Sequence, residues 1–229
     1  MTRVDQSDEI GAGILSRLAA AVYRYMILAV FGFLNALPTL ILWTFLRADA
    51  SNMVLFMAAL LPIGPAGSAA VYALRAWRDS PDLQPSKALI RGYRLNLFDT
   101  LKWWVPVLAV ATPLMMNVVL AGDAGVWPAV RPVSLALIVL MGIWSAQLLV
   151  VTSLFSFRTR DAMRIATVEA IGQWRASLGF LALMVVAAAV VGLWSEAVLA
   201  LMGWAFVCLL WLIAKPIEAD VAARFIRAE

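Results

Sequence analysis

Apolar residues run through this chain in long, nearly unbroken stretches, separated by short polar segments rich in arginine. Six stretches stand out, at roughly 25–46, 52–75, 103–121, 132–156, 178–194 and 197–214. Most reach the about 17–25 residues that a bilayer-spanning helix needs. The last two are short and meet at Ser195-Glu196, which predicts a tight hairpin. Reading them as one span instead would place the C-terminus on the opposite side. Ahead of the first stretch, Ile14, Leu18, Ala21, Val22 and Tyr25 recur at helical spacing with Arg17 and Arg24 beside them. That pattern predicts an interfacial helix feeding the first span. Residues 1–13, with Asp5, Asp8 and Glu9, read as a polar tail without a signal-peptide pattern.

Two polar connections are long enough to hold structure of their own. In the first, Ser80-Pro81 and Pro85-Ser86 mark a turn and a helix start. Ile90, Tyr93, Leu97 and Leu101 then form an apolar stripe, with Lys87, Arg91, Arg94 and Lys102 in a basic stripe beside it. In the second, Thr159 is placed to cap a helix, with Asp161 in its first turn. Met163, Ala166, Ala170 and Trp174 make its apolar stripe, flanked by Arg160, Arg164 and Arg175. The two connections look like copies of one span–helix–span unit.

Composition agrees with a membrane chain. Hydrophobic residues make up 64% and charged residues 14% of the 229, and mean hydropathy is +0.90. A soluble domain has about 45–50% apolar and about 25% charged residues. The net charge of +4 has a topological explanation. With the N-terminus inside, every one of the 18 basic residues except Arg47 and Arg131 falls in a cytoplasmic segment. The positive-inside rule predicts that asymmetry, and with it six spans and both termini cytoplasmic. No nucleic-acid partner is needed to account for the basic pI. Trp77, Trp103, Trp104 and Trp127 sit at predicted interfaces, where aromatic belts form.

The second stretch is unusual. Leu61-Pro62-Ile63-Gly64-Pro65 places two prolines and a glycine near mid-span, with Ala66, Gly67, Ser68, Ala69 and Ala70 following. Proline removes a backbone donor and clashes with the preceding turn, so a kink or break is expected. The freed carbonyls must then find partners on neighbouring helices or in a wet cavity. Broken helices at mid-membrane line substrate sites in transporters. A break that lets helices pack closely explains the same residues, and such kinks are common in spans.

Asn35, Ser145, Gln147 and Asn117 are polar side chains within predicted spans. They suit either a solute path or bridges between helices, worth on the order of 0.6 kcal/mol each. Asn35, Gly64, Pro65, Ser68, Asn117 and Gln147 therefore make up the candidate solute or helix-break site. No Asp, Glu, Lys or Arg falls mid-span, since Asp99 sits in an inner helix and Glu196 at a turn. Proton- or sodium-coupled transport usually uses such a group and is disfavoured. The inner basic residues Arg91, Arg94, Arg160 and Arg164, with Asn96, suit anionic lipid headgroups or a cytoplasmic partner. There is no histidine and one cysteine, Cys208, so no intrachain disulfide forms and a metal site of these ligands is not expected. Without a histidine base, a nucleophile motif, a P-loop or a facing carboxylate pair, with Asp123 and Glu196 unrelated in sequence, no catalytic activity or cofactor is expected.

Ile63-Gly64-Pro65-Ala66 with Ala69, Ala70 and Tyr72, followed by Arg91-Gly92-Tyr93-Arg94-Leu95-Asn96, resembles the YesL-type family of bacterial integral membrane proteins. Asn35-Ala36-Leu37-Pro38 fits the same pattern, and the resemblance covers roughly residues 15–180. The chain departs from it at Leu154-Phe155-Ser156-Phe157, where a tyrosine–proline pair is expected. Members often accompany carbohydrate ABC importers, so the resemblance implies an accessory role in sugar uptake but no defined activity.

The expectation is thus one integral domain over residues 1–229, an all-α bundle of six transmembrane helices in the bacterial inner membrane, with amphipathic interfacial helices. Its partners are membrane lipids and, from the resemblance, importer subunits. The function is that of a non-enzymatic accessory or regulatory protein. The alternatives are an independent transporter or channel for a small neutral solute through the broken second helix, and a purely structural or lipid-binding role.

Overall fold

A computed structural model describes residues 14–47, 49–79, 84–120 and 127–225. The polar tail 1–13, the Ser80-Pro81 turn and Asp123 lie outside them. Among the described residues all regular structure is helical: α1 (Ile14–Phe45), a 3₁₀ turn (Ala50–Asn52), α2 (Met53–Ala58), α3 (Ile63–Asp79), α4 (Pro85–Leu120), α5 (Val130–Leu154), α6 (Thr159–Gly172), α7 (Trp174–Leu193) and α8 (Glu196–Phe225). Six helical segments are long and apolar enough to cross a membrane, with α2 and α3 together making one of them. Their outward faces carry large apolar side chains, among them Leu34, Val110, Leu140, Val185 and Leu201. A soluble surface rarely exposes apolar area on that scale. This is the architecture of a multi-pass membrane protein.

The predicted interfacial helix and first span are one helix, α1. The first connection likewise runs without interruption into the third span, giving α4 its 36 residues. At 1.5 Å per residue α4 is about 54 Å long, well beyond a hydrocarbon core of about 30 Å. Pro85 opens it at the first position, where a missing N–H costs nothing. The second connection is different: α6 and α7 are separate helices, broken at Gln173 (φ −101°, ψ 53°). The two connections are therefore not copies of one unit. α6 is capped at Arg158, not Thr159, and without a side-chain hydrogen bond. The last two stretches are two helices joined through Ser195, whose Oγ accepts from the Val198 N–H at 3.3 Å. α8 continues past Pro216 to Phe225, beyond the apolar stretch.

α3 occupies the centre, packing on α4 and also meeting α5, α1 and α8. One core cluster joins Trp103 to Leu148, Val151, Ile165, Phe180 and Ile217. A second joins Leu28 of α1 to Ala70, Ala73, Leu74 and Trp77 of α3 and Leu89 of α4. The packing seams differ from the stripes read by hydropathy. On α4 the buried positions are Pro85, Leu89, Gly92, Thr100, Trp103 and Leu108, whereas Ile90 is half exposed. On α6 they are Ala162, Ile165, Ala166 and Glu169, with Trp174 exposed at the start of α7. Lipid welcomes the greasiest side chains, so close fit rather than hydropathy selects the seams, and small residues within them allow close approach. Gly92 is such a residue: a Cβ there would stand 2.7 Å from Tyr72 Cδ1 on α3. Trp77, Trp103 and Trp104 turn inward rather than forming a belt, while Trp127 is exposed.

Candidate functional site

The expected discontinuity in the second stretch is present, as a complete break between α2 and α3. α2 ends in a tightened turn in which the Leu60 N–H donates to Met57 O and the Leu61 N–H to Ala58 O, both at 3.1 Å. Pro62 has no N–H for Ala58 O, so Leu61 supplies it. α3 restarts at Ile63, with Pro65 in its first turn, where the helix has no use for its N–H. The shift from four-residue to three-residue bonding strands carbonyls, and neighbouring helices supply donors. Trp43 Nε1 of α1 donates to Phe56 O at 3.1 Å, and Thr39 Oγ1 donates to Ala59 O at 2.6 Å. Trp104 Nε1 of α4 donates to Leu60 O at 3.1 Å, a carbonyl that also accepts from the Ile63 N–H at 3.1 Å. Gly64 admits that indole, because a Cβ there would lie 2.7 Å from Trp104 Cδ1 and Cγ. Further along α3, buried Ser68 shares a 2.8 Å hydrogen bond with Ser153 of α5. The break is filled by protein.

At the end of the bundle where α3, α5 and α8 finish, charges gather. Arg78 grips Glu218 of α8 with both terminal nitrogens, at 2.9 and 3.1 Å. Arg75 Nε lies 3.3 Å from the same carboxylate, while its Nη1 donates to Leu154 O at 2.9 Å. Arg75 also sits 5.5 Å over the Phe155 ring, which stacks on Phe157. The corner that departs from the YesL-type pattern is thus held by an arginine of α3. Asn96 Nδ2 donates to Ser153 O at 3.4 Å, tying α4 to the same corner. These arginines are fully engaged.

The first half of α4 is not. Lys87, Arg91 and Arg94 are exposed and make no ion pair among the described residues. They line a recess of about 760 Å³ against Tyr72, Trp77 and Asp79 of α3. A smaller hollow of about 290 Å³ adjoins it, lined by Phe31, Asn35, Ile90, Tyr93 and Arg94. Arg160 and Arg164 lie on the exposed face of α6, and neither lines this recess.

The candidate solute residues meet separate partners. Asn35 Nδ2 donates to Phe31 O of its own helix at 2.9 Å and faces the small hollow. Gly64 meets Trp104, Ser68 meets Ser153, and Gln147 Nε2 donates to Ser177 Oγ at 3.1 Å. Asn117 is exposed on α4. Gln147 Oε1 and Ser145 Oγ are buried without a partner among the described residues. Set against known families, curated proteins and solved structures, the chain has no match. The YesL-type resemblance therefore rests on the quoted residues alone.

Sequence reading missed Thr39, Trp43 and Trp104, because a side chain that caps a distant carbonyl leaves no periodic trace. It also missed a carboxyl pair between α6 and α8. Burial pushes Glu169 up to about 7, helped by a hydrogen bond and charge from Asp220 and opposed by Arg224. Asp220 is paired with Arg224 at 2.9 Å, and Glu169 Oε2 is buried with no donor against it, as suits a protonated carboxyl. Among the described residues no three acidic or sulfur side chains come together as metal ligands would.

Proposed function

We propose that this chain is a non-enzymatic accessory or regulatory protein of the bacterial inner membrane, with both termini cytoplasmic, working beside a carbohydrate importer of the ABC type. The observation that carries the accessory part is the contrast between a break sealed by Thr39, Trp43 and Trp104 and an open basic recess on α4. At the break Phe56 O, Ala59 O and Leu60 O already hold donors from neighbouring helices, whereas exposed cations offer a surface to another molecule. The orientation rests on the distribution of Lys and Arg. The carbohydrate importer rests on the resemblance of Ile63-Gly64-Pro65-Ala66 and Arg91–Asn96 to the YesL-type family. Purification of the tagged chain in mild detergent, with its companions identified by mass spectrometry, tests this reading. Importer subunits in stoichiometric yield are expected; a preparation of this chain alone contradicts it.

The second reading is passage of a small neutral solute by the chain itself. It is favoured by Ser145 Oγ and Gln147 Oε1, which lie buried and unpartnered among the described residues. It requires solute flux into liposomes holding only this protein.

A further inference from the structure

We propose that the recess on α4 binds one anionic phospholipid, its phosphate between Lys87, Arg91 and Arg94 and one acyl chain in the adjoining apolar hollow. The three cations fall at i, i+4 and i+7, which places them on one helical face. Among the described residues Asp79 is the single acid lining the recess, and it is already drawn to Arg75 at 3.7 Å and Arg78 at 2.9 Å. The recess is therefore strongly positive, with long side chains that can reach a phosphate while their stems lie on apolar surface.

The second hollow distinguishes a lipid from a soluble phosphate. Ile90 and Arg94 line both cavities, so a headgroup in the larger and a chain in the smaller meet along one seam. Phe31 and Tyr93, packed edge to face at 6.1 Å, give the smaller hollow aromatic walls. α4 runs from this basic half straight into its apolar half. The seam therefore lies where a spanning helix passes from headgroups into hydrocarbon. The inference rests on the membrane reading above and names the ligand of the same basic surface.

The test is native mass spectrometry of the delipidated full chain in neutral detergent, titrated separately with phosphatidylglycerol, phosphatidylcholine and glycerol phosphate. One phosphatidylglycerol is expected to bind at least about tenfold more tightly than phosphatidylcholine, and glycerol phosphate to bind negligibly. Arg91→Gln with Arg94→Gln should weaken phosphatidylglycerol about thirtyfold, at the energy typical of a cation near an anionic surface. Arg160→Gln with Arg164→Gln, on exposed positions outside the recess, should leave it unchanged. Asn35→Trp, which fills the apolar hollow without altering charge, should also weaken it. Equal binding of the two lipids, or full binding by the Arg91/Arg94 variant, overturns the proposal. Tight glycerol phosphate binding, or full binding by Asn35→Trp, overturns the acyl-chain half and leaves a site for soluble phosphate. The measurement needs no importer and no orientation, so its failure is distinct from failure of the accessory reading.

Discussion

The broken α2–α3 segment and the first half of α4 lie side by side, and they treat their polar groups in opposite ways. At the break, two carbonyls stranded by a change of helical register are met by an indole and a hydroxyl of α1, and an indole of α4 adds a second donor to Leu60 O, which also accepts from the Ile63 N–H. On α4, three cations face a cavity with no acid of their own among the described residues. The lesson is that irregular backbone and free charge mark different things. An apolar setting forces a break to be satisfied internally, so a proline–glycine interruption becomes a functional site only where its carbonyls stay open. Cations at the membrane edge suffer no such penalty and can wait for a ligand.

The same contrast separates the arginines of α3 from those of α4. Arg75 and Arg78 are consumed by Glu218, the end of α5 and nearby aromatic rings. Arg91 and Arg94, at the same end of the bundle, are not.

The largest effect should come from pushing the break open. Gly64→Leu places atoms where the Trp104 ring stands, 2.7 Å from the position of a Cβ. Overpacking of that kind should cost about 1–3 kcal/mol, read as a clear fall in the melting temperature in detergent. An unchanged melting temperature would show that Trp104 can move aside freely. Next comes Trp104→Phe, which keeps the ring and deletes the N–H on Leu60 O. A loss of about 0.5–1.5 kcal/mol is expected, with Thr39→Val behaving alike through Ala59 O. If both variants melt like the parent, neither side-chain donor contributes to holding the break.

A smaller effect depends on pH. The folded chain holds Glu169 protonated to about 7, against an ordinary value of 4.5. The stability this contributes is complete below the unfolded value and is lost as pH rises through about 7. Melting temperature should therefore drift down by a few degrees between pH 5 and pH 8, and Glu169→Gln should flatten the drift. An identical slope in the variant would remove Glu169 as its source. Smallest of all should be the effect on stability of Arg91→Gln with Arg94→Gln, within about 0.5 kcal/mol for exposed, unpaired positions. A larger loss would mean that these cations are structural, like Arg75 and Arg78.

Much of the fold was legible because it follows from length and hydropathy. Six apolar stretches became six helical segments, and the break fell where Pro62, Gly64 and Pro65 placed it. What was illegible follows from packing. Hydropathy chose Ile90 and Leu97 as the stripe of α4, but Gly92 and Leu89 form the seam, because membrane helices associate through close fit rather than grease. Trp103 and Trp104 read as interfacial anchors from their place beside Lys102, yet one is buried in the core and the other caps the break. The turn of α8 beyond Pro216 carries Glu218 and Asp220, partners of α3 and α6. The sequence offers no local reason to continue a helix through that proline; the Glu218 ion pairs and the Glu169–Asp220 carboxyl pair across the bundle do.

The most direct test of a sealed break beside an open recess uses the single cysteine of the chain. In a Cys208→Ser background, Ser68→Cys and Arg94→Cys would each be exposed to a water-soluble, membrane-impermeant maleimide in purified protein. The account predicts rapid labelling at position 94 and almost none at position 68, whose side chain is fully buried. Comparable labelling at both positions would reveal water along the broken helix, and the account of that segment as closed would be wrong.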